Sequence, residues 1–316
     1  MNPRLATALK VVVSAGCLAA IWAWIEPAAL MARLRGASLP PFFAAVVLNI
    51  LLQASNALKL RALFPDPRPR LRGLVEVNFI AVFFGTFIPG GMGGELARWA
   101  YLSKESGSAG RALAAVLLDR LTGLWAQILI SLAAWMWIGR GGLGIWTALG
   151  ASAVILAFSG WAGAWGYRWF TRVISRLGAW YAKRSGNASA APGDIGEALS
   201  ELLSKRSRFA KVLALSVVNH GAVILVFMLV DRTAGGTTSW AHAALFIFCY
   251  TFVLLLPVTI GNWGLSEGTL GILYRFAGSQ SETGVLISLL MRLMSVPTIA
   301  IGWWVFLARR EKRTPP

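Results

Sequence analysis

Long uninterrupted apolar segments constrain the fold of this chain more than any other feature. A helix needs about 20 mostly apolar residues to cross a bilayer. Because hydrocarbon offers no partner to backbone polar groups, such segments are stable there only as helices or closed barrels. Six segments meet the length requirement for helices: residues 8–25, 41–60, 110–138, 143–167, 211–230 and 284–307. They predict an all-α, polytopic integral membrane protein.

Composition excludes several other classes of protein. Apolar residues make up 57% of the 316 residues and charged residues only 14%, whereas soluble chains carry about 25% charged residues. The two cysteines lie in apolar runs and there are two histidines, so neither a disulfide framework nor a multi-histidine metal site is indicated. No phosphate-binding loop motif occurs. We therefore expect no metal, no cofactor and no ATP-driven step.

Two further apolar stretches are interrupted by proline and glycine. One covers residues 74–88 and continues into Pro89-Gly-Gly-Met-Gly-Gly94, and the other covers 240–256 and continues into the turn 257–264. A shorter, more polar helical stretch follows each, at 95–104 and 266–277. Because proline and glycine disfavour helix interiors, each stretch predicts a broken or re-entrant helical hairpin covered by protein or by a water-filled cavity.

The net charge of +17 has an uneven distribution along the chain. In a soluble protein this charge would indicate nucleic acid, but here basic loops on one side of a membrane explain it. If both hairpins return to their side of entry, 23 of the 30 Lys and Arg lie on one side and five on the other. This asymmetry predicts a multi-pass protein of the bacterial cytoplasmic (inner) membrane with both termini cytoplasmic, and no nucleic-acid partner.

The basic cytoplasmic loop at 168–211 contains apolar residues near helical spacing, with arginines between them. This pattern is typical of an amphipathic helix lying on anionic lipid. Two interpretations remain open: the helix captures lipid, or it only anchors the loop and fixes the topology.

The two hairpins also share a spacing of charged residues. Glu95 precedes Arg120 by 25 residues, and Glu267 precedes Arg292 by the same number. Each arginine falls about ten residues into a spanning segment, near the bilayer midplane. The chain therefore reads as a single membrane domain, 1–316, whose repeat-like parts 73–138 and 240–307 have inverted topology, as in many secondary transporters.

An arginine at the centre of a span costs at least about 2.5–3.5 kcal/mol, so Arg120 and Arg292 need partners. On a structural interpretation, Glu95 and Asp119 neutralise Arg120 while Glu267 neutralises Arg292. On a functional interpretation, these groups line a cavity and bind an anion. Glycine-rich turns near helix starts favour the second, because free backbone N–H groups attract anions and the missing Cβ admits a phosphate. The remaining candidate binding residues are Gly90, Gly91, Gly93, Gly94, Gly264 and Trp263.

Other polar residues inside the spans are expected to hold helices together. Asn219 and His220 fall in the middle of one span, and we expect interhelical hydrogen bonds there rather than a proton relay. Asn49, Gln53, Ser55 and Asn56 share another span and suggest the same role.

Three segments resemble a known family: IPGGMGGELARW at 88–99, LDRLTG at 118–123 and PVTIGNWGLSEG at 257–268. They are similar to the flippase-like membrane proteins related to the lysylphosphatidylglycerol synthase transmembrane region. The resemblance implies that the domain moves lipids or lipid-linked sugars between leaflets, or accompanies enzymes that make them. Some members carry a soluble aminoacyl-transfer domain after the membrane part. Since this chain ends at Pro316, we expect no such domain and no synthase activity.

The function we predict is movement of an anionic or glycosylated lipid between leaflets, driven by a gradient, a coupled ion or the membrane potential. Two alternatives stay open. The first is a membrane enzyme acting on a lipid phosphate or lipid-linked sugar, with Glu95 or Asp119 as base. The second is an accessory scaffold for a lipid-modifying enzyme. The sequence does not specify an oligomeric state.

Overall fold

A computed structural model describes residues 3–64, 69–87, 92–138, 206–254 and 259–311. These ranges form helices joined by short connections and contain no strand, which confirms the all-α prediction. In chain order the helices are α1 Pro3–Trp24, α2 Pro27–Arg35, α3 Leu39–Leu63, α4 Leu71–Phe87, α5 Met92–Ser106, α6 Ala109–Ile138, α7 Arg206–Thr233, α8 Trp240–Leu254, α9 Leu265–Phe276 and α10 Ser281–Glu311.

Four of the described helices, α3, α6, α7 and α10, are long and apolar enough to cross a membrane. A fifth span results if α1 and α2 are counted together, although the chain bends by 84° between them. The bend lies just before α2, which begins at Pro27. Proline favours the first position of a helix because it lacks an N–H donor. The predicted span at 143–167 lies outside the described residues, as does the predicted amphipathic stretch before residue 206.

Both predicted hairpins are interrupted where proline and glycine occur in the sequence. In the first hairpin α4 ends at Phe87 and α5 begins at Met92. In the second, α8 ends at Leu254, a single 3-10 turn covers Ile260–Asn262, and α9 begins at Leu265.

The backbone conformation between α8 and α9 explains why glycine occurs there. Gly261 has a φ of 58° and Gly264 a φ of 80°, values that cost an L-residue with a Cβ roughly 1–2 kcal/mol. Asn262 adopts a φ of 57°, which asparagine tolerates better than most residues. A regular helix therefore does not continue through residues 261–264.

The chain divides into two compact units, one formed by residues 1–52, 82–94 and 222–316 and the other by 53–81 and 95–221. In the second of these units α6 is the central helix. Two thirds (67%) of its most apolar 18-residue window is buried, and the run Ala112–Leu118 is buried throughout. A helix that is apolar on all sides is suited to such a central position.

In the first unit α9 packs closely against α10. A Cβ at Gly284 would overlap the Leu270 carbonyl oxygen, and one at Gly271 would lie 3.3 Å from Val285 Cγ2. Small residues at these positions therefore let the two backbones approach, as in other membrane helix pairs.

Polar side chains in the spans mostly bind neighbouring helices, as predicted. Asn219 Nδ2 donates to Asn56 Oδ1 at 2.9 Å, and its own Oδ1 accepts from Ser55. In the other unit Asn49 Nδ2 donates to Thr298 Oγ1 at 3.0 Å. His220 differs in part, because its Nδ1 lies 2.9 Å from the Ser216 carbonyl oxygen of the same helix and this nitrogen makes no interhelical bond. Side-chain direction along α7, which the sequence pattern does not give, explains the difference.

We predict that Ser106 and Ser279 face opposite sides of the membrane. Cys17 and Cys249 are first replaced by alanine, and single cysteines are then introduced at each serine. A membrane-impermeant thiol reagent should label Ser106→Cys from the cytoplasm and Ser279→Cys from outside, as the charge asymmetry requires. A cysteine at the fully buried Ser216 serves as the unreactive control. Labelling of both test positions from one side contradicts the inverted topology.

Candidate functional site

The first candidate site joins the start of α5 to the middle of α6. Glu95 lies in the first turn of α5, where an acidic group is favoured by the helix dipole. Its Oε1 accepts a hydrogen bond from Arg120 Nη2. The 25-residue spacing therefore brings a carboxylate and a guanidinium together, as the structural interpretation expected. The same contact leaves open whether the pair also binds an anion.

Asp119 has different partners from those predicted. Lys59 Nζ of α3 lies 2.8 Å from Asp119 Oδ1 and also donates to its backbone oxygen at 3.1 Å. Arg98 Nη1 of α5 donates to Asp119 Oδ2 at 3.2 Å. Asp119 thus pairs with Lys59 and Arg98 rather than with Arg120, because its side chain leaves α6 on a different face from that of its chain neighbour.

We call Lys59, Glu95, Arg98, Asp119 and Arg120 the first charge cluster. The 23 basic residues predicted to lie in cytoplasmic loops include Lys59 and Arg98, and the structure corrects this prediction. Lys59 is only 4% exposed and belongs to α3, which extends further than its apolar segment. Lys59 and Arg98, two of the 23 charges predicted to be cytoplasmic, therefore lie in ion pairs, and the predicted asymmetry persists without them.

The first charge cluster is incompletely satisfied within the described residues. Glu95 Oε2 and Arg98 Nε are both buried and have no hydrogen-bond partner there. The Arg120 side chain is 56% exposed, although the Glu95 side chain beside it is 9% exposed. Buried polar atoms are normally hydrogen-bonded, so this cluster retains unused binding capacity beside an accessible guanidinium.

Two of the four candidate glycines of the first hairpin, Gly93 and Gly94, lie in α5. α5 begins at Met92, three residues before the predicted helical stretch at 95–104, so Gly93 and Gly94 belong to its first turn and are buried there. A Cβ on Gly85 of α4 would lie 3.6 Å from the Gly94 backbone nitrogen, which indicates close packing between α4 and α5. Gly90 and Gly91 lie outside the described residues.

The second candidate site repeats the pairing with a different environment. Glu267 in the first turn of α9 is 2% exposed. Its Oε1 accepts from Arg292 Nε at 2.7 Å and from Ser288 Oγ at 3.3 Å. Its Oε2 accepts from the Gly264 backbone N–H at 2.8 Å, which caps the helix. We call Glu267, Arg292 and the residues that contact them the second charge cluster.

Every guanidinium nitrogen of Arg292 is hydrogen-bonded in this cluster. Besides Nε on Glu267, Nη1 donates to the Gly261 carbonyl at 2.9 Å, and Nη2 donates to the Asn262 carbonyl at 3.0 Å and to Ser266 Oγ at 2.5 Å. The Trp263 ring lies 4.1 Å from the guanidinium carbon, a cation–π distance. Arg292 therefore holds the turn between α8 and α9 in place.

The sequence did not point to four residues of these clusters: Lys59, Arg98, Ser266 and Ser288. A three-residue separation on one helix places Arg98 beside Glu95, and this spacing was available as a signal. For Lys59 no comparable signal exists, since its partner is 60 residues away. Among the described residues, no group of three or more His, Cys, Asp or Glu is placed to hold a metal ion.

Several apolar spanning helices, two interrupted hairpins and ion pairs within the helices define a multi-pass helical membrane protein. Residues 7–302 match the family described as the lysylphosphatidylglycerol synthase TM region. The chain belongs to this family, as the three sequence segments suggested. No match was found among curated proteins or among solved structures.

Gly264→Ala should destabilise the protein, because the φ of 80° strains an L-residue and the added Cβ would contact Cys17 and Leu18 of α1. Positive φ alone costs roughly 1–2 kcal/mol. The thermal unfolding temperature in detergent should therefore fall by at least about 2–4 °C. Gly268→Ala, on the same helix, is the matched control, since its Cβ would meet only Ile21 Cδ1 at 3.8 Å. Equal unfolding temperatures for both variants would show that the turn does not require glycine at 264.

Proposed function

We propose that this protein moves an anionic or glycosylated lipid between the leaflets of the bacterial cytoplasmic membrane. The observation that carries the proposal is the contact between Glu95 and Arg120 at an interrupted helical hairpin, where the Arg120 side chain stays exposed. Discontinuous helices of this kind form substrate sites in many secondary transporters. Membership of a family named for a lipid synthase region supports a lipid as the substrate class.

The energetic cost of these groups favours a function over a purely structural role. Each ionised residue at the centre of a span costs at least about 2.5–3.5 kcal/mol before it is paired. A buried ion pair returns little net stability, and apolar residues of similar volume often do as well. Helix packing alone therefore does not account for several charges in and beside α6, whereas binding of a charged headgroup does.

The proposed binding step uses the exposed guanidinium of Arg120. Its planar fork matches two oxygens of a phosphate group. Glu95 holds Arg120 in the absence of lipid and is displaced from it when the headgroup enters. The headgroup enters beside the exposed Arg120 side chain, while the acyl chains remain in the bilayer.

The proposal involves binding and movement rather than a chemical reaction, so the protein itself is not an enzyme. A lipid-modifying enzyme is a suitable partner, since it supplies or consumes the headgroup that is moved. The charge asymmetry supports a topology in which both termini are cytoplasmic. The driving force is a lipid gradient, a coupled ion or the membrane potential.

Arg120→Ala should abolish lipid movement in proteoliposomes while the protein still inserts and folds. The variant removes the insertion cost of the arginine along with the charge. Arg120→Lys should retain part of the activity, because lysine supplies a charge without the planar fork. Lipid movement is measured by the accessibility of a fluorescent phospholipid to an external quencher, alongside the thermal unfolding temperature.

The double variant Glu95→Ala with Arg120→Ala separates binding from structure. If the arginine binds the headgroup, the double variant stays inactive. Full transport in the double variant would show that Arg120 only pairs with Glu95, and the site assignment would be wrong. Arg275→Ala, at the exposed end of α9, is the control for loss of an arginine outside the site.

A further inference from the structure

We infer that the two charge clusters have unequal roles. In the first, Arg98 joins Arg120 in a two-guanidinium site for a phosphate oxyanion that carries a single charge. In the second, Arg292 is a positioning residue that closes the turn between α8 and α9. This inference rests on the proposed lipid movement and names the chemistry of its binding site.

The positions of Arg98 and Arg120 carry the first part. Both guanidinium groups reach the same carboxylate oxygen, Glu95 Oε1, with Arg98 Nη1 at 3.8 Å. A carboxylate oxygen between two guanidinium groups occupies the position that one oxygen of a phosphate would take. Arg98 Nε is also buried and has no partner among the described residues, so a donor remains for a second oxygen of the ligand.

The charge balance of the first charge cluster specifies the charge of the ligand. Three cations, Lys59, Arg98 and Arg120, face two carboxylates, Glu95 and Asp119. Among the described residues, the difference of three and two is one positive charge without a counter-charge, with the nearby His220 counted as neutral. A buried charge without a counter-charge is costly. A phosphodiester carries one negative charge and neutralises the cluster.

Lys59 keeps this site open. It binds Asp119 through both the carboxylate and the backbone oxygen, and Asp119 therefore does not extend to Arg120. Without Lys59, Asp119, whose Oδ2 already accepts from Arg98, would be free to turn its Oδ1 to Arg120 and fill the position of the ligand.

The second charge cluster lacks these features. Arg292 and Glu267 balance each other, so no charge remains for a ligand. An anion at Arg292 would replace hydrogen bonds to two backbone carbonyls, to Ser266 and to Glu267. Trp263 covers one face of the guanidinium. Removing the Arg292 side chain therefore leaves several buried acceptors unpaired, which reduces stability rather than ligand affinity.

Two sources share the required chemistry: the phosphodiester of a phospholipid headgroup and free monoanionic phosphate. Native mass spectrometry of the full chain in detergent distinguishes them. The probes are phosphatidylglycerol, a neutral diglucosyl diacylglycerol and inorganic phosphate. The variants are Arg98→Gln, Arg98→Lys, Arg120→Gln and Arg292→Gln, each with its thermal unfolding temperature.

Arg98→Gln and Arg120→Gln should each weaken phosphatidylglycerol binding by about tenfold, the effect of losing one charge-assisted hydrogen bond. Arg98→Lys should recover part of this loss. Arg292→Gln should bind phosphatidylglycerol as the unmodified chain does, but should unfold at a lower temperature. Binding of the neutral glycolipid should not depend on Arg98. If inorganic phosphate binds and its binding also depends on Arg98, the oxyanion site is supported and free phosphate is a ligand. If phosphatidylglycerol binds and inorganic phosphate does not, the ligand is the lipid.

Two results overturn the inference: unchanged phosphatidylglycerol binding by Arg98→Gln, or equal loss of binding by Arg292→Gln without loss of thermal stability. Transport separates this outcome from failure of the proposed function. Phosphatidylglycerol that binds through Arg98 but is not moved in proteoliposomes contradicts the function and leaves the site intact. If the lipid is moved in proteoliposomes but Arg98→Gln binds it as the unmodified chain does, the proposed site is wrong and the proposed function stands.

Discussion

The arrangement of this protein depends on one requirement: a guanidinium within an apolar helix needs a counter-charge from another helix. Arg120 of α6 obtains it from α5, and Arg292 of α10 obtains it from α9. Each contact fixes where the short second helix of a hairpin lies against a long helix. Because both carboxylates occupy the first turn of their helix, they also stabilise the helix start through its dipole. Each Glu–Arg contact therefore helps to fix where the short helix begins and against which long helix it packs.

Part of this arrangement follows from local sequence, and part follows from a spacing that occurs twice in the chain. The interruptions of the hairpins follow from proline and glycine, whose backbone preferences act within a few residues. The pairing of Glu95 with Arg120 follows from a repeated spacing. Partners from distant helices were not predictable in this way. Whether Lys59 faces solvent or Asp119 depends on the direction of its side chain and on the packing of α3, which a single sequence does not specify.

The two hairpins share the same spacing of Glu and Arg, but their arginines have different surroundings. In the second, the turn provides carbonyl oxygens that saturate the arginine, and Trp263 covers it. In the first, the neighbours of the arginine are charged side chains from α3, α5 and α6, and the arginine stays accessible. An equal spacing of Glu and Arg therefore does not imply an equal role. What differs is the set of acceptors around each guanidinium.

The buried pair of Lys59 and Asp119 has a consequence for biosynthesis. The two residues are 60 positions apart, with the whole first hairpin between them. When α3 leaves the ribosome, its acidic partner has not yet been synthesised, and a lone lysine in hydrocarbon is unfavourable. Since Lys59 lies four residues before the end of α3, its long side chain can reach the aqueous interface in the meantime. The Lys59 end of α3 can therefore be buried only after α6 has been synthesised and inserted. Insertion of α6 is the step that completes this part of the membrane domain.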